Sequence, residues 1–199
     1  MRTGRLEAFS DGVLAIIITI MVLELHPPAE PTWHAFADDT LSEVAIYLLS
    51  FVYVGIYWNN HHHMIQLTDR VSGGVLWANL HLLFWLSLLP FTTKWMGQTD
   101  FAEVPVVFYG LNLLAAALAY YLLQELIIRL EGPESALRKA VGTDAKGKLS
   151  PLIYLVGIAG ALVAPWTGMA MFAFAALIWL VPDRRIEQFT AQIDERDRS

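Results

Sequence analysis

Arg5-Leu6-Glu7-Ala8-Phe9-Ser10-Asp11 runs straight into Gly12-Val13-Leu14-Ala15-Ile16-Ile17-Ile18-Thr19-Ile20-Met21-Val22-Leu23-Glu24. No charge interrupts the chain between Asp11 and Glu24, and apolar side chains do not alternate with polar ones. Roughly 20 mostly apolar residues cross about 30 Å of hydrocarbon, so the stretch predicts a membrane helix over 5–25. Only helices and closed barrels satisfy the backbone in lipid, and the alternation of a barrel strand is missing. Arg2 and Arg5 resemble the head of a signal peptide. Yet Asp11 breaks the start of the apolar run, no A-x-A-like site follows, and Pro27 and Pro28 do. A retained helix is expected.

The same pattern recurs along the chain. Of 199 residues, 56% are hydrophobic and only 16% charged, with a mean hydropathy of +0.47. A soluble domain has about 45–50% apolar and about 25% charged residues, so a soluble enzyme is excluded. A formal net charge of −6 also argues against a nucleic-acid partner. With no cysteine there is no disulfide, thiolate nucleophile or Cys-based metal site.

Further helices are expected over 41–63, 72–95, 104–130, 149–164 and 167–182. The fold class is therefore an all-α membrane protein, one domain over 1–199 with six transmembrane helices. Basic residues fix its orientation. With both termini on one side, that side holds every Lys and Arg except Lys94, and it should be cytoplasmic. The opposite side carries Glu30, Asp38, Asp39, Glu43, Asp100 and Glu103, which would concentrate cations there or simply keep short loops soluble.

Ionisable residues beside hydrocarbon face protein or water rather than lipid. Ser10 and Asp11 suit a helix start, where Ser caps and Asp meets the positive end of the helix dipole. Two further polar groups, Asn59-Asn60-His61-His62-His63 and Asn79 with His81, fall at the same depth on the second and third helices. Hydrogen bonds among these three helices are expected to fix the packing of the first. Adjacent histidines point about 100° apart on a helix and do not share one metal ion, and no His-Glu-x-x-His motif is present. No metal site and no catalytic residue are assigned.

On a helical wheel Gly12, Ile16, Thr19, Ile20 and Leu23 share a stripe about 100° wide, with Asp11 nearly opposite. That stripe faces lipid, a second core or a symmetry axis; the wheel alone does not choose.

Arg5-x-x-x-Phe9-Ser10-Asp11 at the start of a first membrane helix resembles the signature of the transmembrane protein 175 family of potassium channels. Trp58-Asn59-Asn60-His61-His62 and the stretch from Asn79 to Pro90-Phe91 add to the likeness, which covers the single-repeat form over nearly the whole chain. The resemblance implies a homotetramer assembling around a central pore lined by the first helix, without the Thr-Val-Gly-Tyr-Gly filter. It implies constricting rings at Ile16, Ile20 and Leu23 and a hydroxyl ring at Thr19. Arg5, Phe9, Ser10, Asp11, His61 and Asn79 are then signature and supporting residues.

Four Ile16 side chains would close such a pore by contact and dewetting. The expected function is a leak-type potassium channel of modest selectivity in a prokaryotic cytoplasmic membrane, its permeant K+ ions taking the place of any cofactor. Its partners are monovalent cations, the lipid bilayer and other copies of the chain. A proton-permeable channel is the alternative, and an intramembrane metalloenzyme using the histidines a more distant one. A secondary transporter would need the inverted repeat or broken helix pair that the sequence lacks.

Overall fold

The computed structural model describes residues 3–142 and 144–180. Arg2, Arg184, Arg185, Arg196 and Arg198 of the charge count, and the end of the helix expected over 167–182, lie outside them. The described residues are helical with short connections: α1 Thr3–Leu23, the one-turn α2 Trp33–Ala35, α3 Leu41–Gln66, α4 Gly73–Ser87, α5 Leu89–Gln98, α6 Glu103–Glu131, α7 Ala136–Val141, α8 Ala145–Ala161 and α9 Pro165–Leu180. A π-helical turn, Phe36–Thr40, joins α2 to α3.

Side-chain caps set several starts. Thr32 Oγ1 accepts from the Ala35 amide at 3.1 Å, Ser72 Oγ from Val75 at 3.3 Å, and the Asp144 carboxylate from Gly147 at 3.0 Å. Each cap satisfies an amide left without an intrahelical partner. Gly132, at φ +98°, ends α6 in a conformation that disfavours side chains.

Among the described residues four helical stretches are long and apolar enough to span a bilayer: Thr3–Leu23, Trp33–Gln66, Gly73–Gln98 and Glu103–Glu131. The α8 and α9 helices have 17 and 16 residues. The helix expected over 72–95 is two helices. Pro90 has no amide to offer the Leu86 carbonyl, and Leu88 bonds instead to Trp85 at 3.3 Å, so the chain breaks at Leu88. The connection from 131 to 148 also contains α7, capped by Ser135.

Hydrocarbon gives helices no hydrophobic reason to associate, so close packing and hydrogen bonds hold the bundle. One set packs α1 against α3, α4 and α5; the other packs the α8–α9 hairpin against α6 and α3. In the second set Phe172 lies where a Cβ on Gly110 or Gly157 would collide with its ring. Glycine at both places lets α6, α8 and α9 close around one aromatic side chain. Tyr53 donates to the Phe172 carbonyl at 2.6 Å, while Thr93 donates to Ser50, which lies 3.0 Å from Tyr109. Buried hydroxyls thus tie α3 to α5, α6 and α9.

Candidate functional site on the first helix

The two faces of α1 have different fates. Leu6, Ser10, Leu14, Ile17 and Met21 are buried against the rest of the chain. Gly12, Ile16, Thr19, Ile20 and Leu23 are exposed along one stripe, Ile16 at 58% and Leu23 at 80%. The stripe of the helical wheel is therefore the face that the folded chain leaves uncovered. Thr19 adds a hydroxyl to it, and that hydroxyl donates to the Ile16 carbonyl at 2.9 Å.

Three helices meet where the polar groups were expected. His61 Nε2 donates to Asn79 Oδ1 at 2.8 Å, Asn79 Nδ2 donates to Ser10 Oγ at 3.0 Å, and Ser10 Oγ donates to the Leu6 carbonyl at 2.9 Å. All three side chains are buried, so α3, α4 and α1 are linked by a directed chain of neutral hydrogen bonds. His61 Nδ1 has no partner among the described residues.

Asp11 sits to one side of this chain. Its Oδ1 accepts from Trp58 Nε1 at 3.1 Å. One turn away on both helices, His62 Nδ1 lies 2.9 Å from Glu7 Oε1, with the Trp58 and His62 rings stacked 5.9 Å apart. Glu7 and Asp11 thus face His62 and Trp58 as a two-rung antiparallel ladder. His62 was expected among the interhelical hydrogen bonds, whereas Glu7 and Trp58 were not, although the four-residue spacings Glu7–Asp11 and Trp58–His62 were a legible signal.

The signature residues do not act as one group. Ser10, His61 and Asn79 join in one chain with Asp11 bonded to Trp58 beside it, whereas Arg5 and Phe9 are exposed and continue the uncovered stripe towards the N-terminus. His81 also stands apart, exposed and accepting from Trp85 Nε1 at 2.9 Å. The three adjacent histidines diverge: His61 faces Asn79, His62 faces Glu7 and Gln66, and His63 lines a crevice with Met64 and Leu137. Among the described residues no group of three or more His, Asp or Glu is placed to hold a metal ion.

A helical bundle with four membrane-length spans and exposed apolar faces, the α1 stripe among them, defines a polytopic membrane protein. Residues 5–90 match the family model described as endosomal/lysosomal potassium channel TMEM175. A potassium channel of Chryseobacterium sp. (strain P1-3) is 52% identical over 188 residues, covering 94% of this chain and 97% of that protein. The crystal structure of a lysosomal potassium-selective channel TMEM175 homolog from Chamaesiphon minutus superposes with a TM-score of 0.76. It shares 27% identity, and the match covers 90% of this chain and 96% of that one. The endosomal/lysosomal proton channel TMEM175 of Gallus gallus is 28% identical over 130 residues, 62% of this chain and 25% of that protein.

The chain belongs to the TMEM175 family. Its relatives and structural neighbours are ion channels rather than enzymes.

Proposed function

We propose that four copies of this chain assemble with their α1 stripes facing a common axis, forming a potassium-permeable channel in a prokaryotic cell membrane. One observation carries this: Gly12, Ile16, Thr19, Ile20 and Leu23 form the uncovered face of a helix whose other face is locked into the bundle. A closed ring of identical subunits gives such a face a partner and leaves a passage between the copies. The spacing Gly4-x-x-x-Ala8-x-x-x-Gly12, exposed at all three positions, suits close approach of neighbouring helices.

In this arrangement Ile16 forms the constriction, Ile20 and Leu23 form further apolar rings, and Thr19 replaces part of the water around a passing cation. Potassium loses its water more readily than sodium, so a short hydroxyl ring favours it modestly. Ser10, Asp11, His61 and Asn79 hold the helix at a fixed height. Arg5 and Phe9, on the uncovered stripe, belong at the inner entrance rather than among these supports.

In this reading the chain makes six membrane passages with both ends cytoplasmic, the α8–α9 hairpin supplying the last two. Passage of protons is the second reading, favoured by the name of the Gallus gallus relative.

Flux from liposomes holding the purified protein tests the proposal, with potassium, sodium and proton gradients compared. Ile16→Asn should wet the constriction and raise cation flux while lowering the potassium-to-sodium ratio. Equal flux and equal selectivity in both proteins would remove Ile16 from the passage.

A further inference from the structure

The helices α3 and α9 touch at mid-height, where Tyr53 donates to the Phe172 carbonyl, and separate beyond it towards their N-terminal ends. Between them lies a cavity of about 670 Å³, open along one side. Leu41, Ala45 and Leu49 form one wall and Ala170 and Ala173 the other. Phe101 and Trp166, with ring centroids 4.9 Å apart, line the groove at the same end as Asp100.

Three properties define the occupant. Apart from Ser42 and Asp100 the lining is apolar, so water gains little there. From Leu41 to Leu49 the groove follows α3 for about 12 Å, close to the roughly 15 Å depth of one leaflet's hydrocarbon. Alanines on facing helices normally allow the backbones to close on each other in lipid, yet here they leave a trough between separated helices. A flexible hydrocarbon chain fills such a trough and restores the contacts an empty groove would forfeit.

The mouth selects the headgroup. Asp100 stands there exposed in the turn after α5, at φ +46°. Among the described residues no Lys or Arg lines the groove, and Lys94, on the same end of the bundle, is paired with Glu24. A carboxylate without a neighbouring cation attracts an ammonium group and repels a headgroup with net negative charge.

We propose that this groove binds one phospholipid per subunit, with an acyl chain between α3 and α9 and a primary ammonium headgroup, as in phosphatidylethanolamine, against Asp100. The site is separate from the α1 stripe and does not depend on what the channel conducts.

Native mass spectrometry of the full-length protein, stripped of lipid and then offered phosphatidylethanolamine or phosphatidylglycerol of matched chain length, tests this. Phosphatidylethanolamine should stay bound at one molecule per subunit under activation that removes phosphatidylglycerol. Asp100→Lys, on an exposed turn, should reverse that preference. Ala45→Trp combined with Ala173→Trp should abolish retention, with a thermal melt confirming that the protein still folds. Equal retention of the two lipids, or unchanged retention in the filled groove, would overturn the proposal. Loss of the oligomer on filling, with lipid binding intact, would assign the groove to a second copy and overturn it equally.

Discussion

The two ends of α1 are held by different chemistry. At the N-terminal end, the inner one in the orientation proposed above, Ser10, Asn79 and His61 form a buried, neutral chain of hydrogen bonds, flanked by Asp11 on Trp58 and Glu7 on His62. At the C-terminal end, the outer one in that orientation, Glu24 pairs with Lys94, and Glu43 accepts from the His26 amide at 2.9 Å and lies 3.3 Å from its ring. Thr40 adds a bond to the His26 carbonyl at 3.1 Å.

The Glu24–Lys94 pair is charged and more than a third exposed on both sides, so salt screens it. The inner chain is neutral and buried, and its strength comes from geometry. One end of the helix is fixed in position; the other is tethered.

The sharpest way to break this contrast is Asn79→Leu. It removes two interhelical hydrogen bonds and leaves Ser10 and His61 without their partner, so a loss of about 1–3 kcal/mol is expected. Thermal unfolding of the detergent-solubilised protein measures it, and the loss should not change with salt.

Trp58→Phe keeps the ring stacked on His62 but removes the donor to Asp11. A cost of about 0.5–1.5 kcal/mol is expected in the same assay. A double-mutant cycle with Asp11→Asn would then report the coupling of the pair.

Lys94→Met should have the smallest effect, about 0–1 kcal/mol, because its ion pair is more than a third exposed. The wild-type advantage should shrink as salt rises. An effect that matched Asn79→Leu and ignored salt would erase the distinction between the two ends.

Much of the inner end was legible in the sequence. Polar residues at one depth on three apolar helices had few places to go except to each other, and Ser10, Asn79 and His61 meet as that reasoning requires. The uncovered stripe was visible as a wheel position but not as an uncovered face. An all-apolar helix offers no polarity contrast by which to choose its buried side, and only packing against α3, α4 and α5 decides it.

Arg5 and Phe9 show the same limit. They share a motif with Ser10 and Asp11 but turn outward, because four residues along a helix bring the chain back to the same side while five do not. The break at Leu88 was written in Pro90 but masked by the continuous hydropathy around it. The outer ties through His26, Glu43 and Lys94 join residues far apart in sequence, and no local pattern announces them.

The ladder between α1 and α3 has a mechanical consequence. A slide of α1 outward by one turn, about 5.4 Å, would set Glu7 level with Trp58 and strand Asp11 beside Val54. A slide inward by the same step would offer His62 to Asp11 and Gln66 to Glu7, but would carry Ser10 from Asn79 to the level of Val75. Both directions of piston travel therefore cost polar contacts, whereas a small roll or lean about the pinned end keeps them. In the proposed assembly, a passage walled by this helix would work as an iris and not as a plunger: its bore would change while each ring stayed at its own depth.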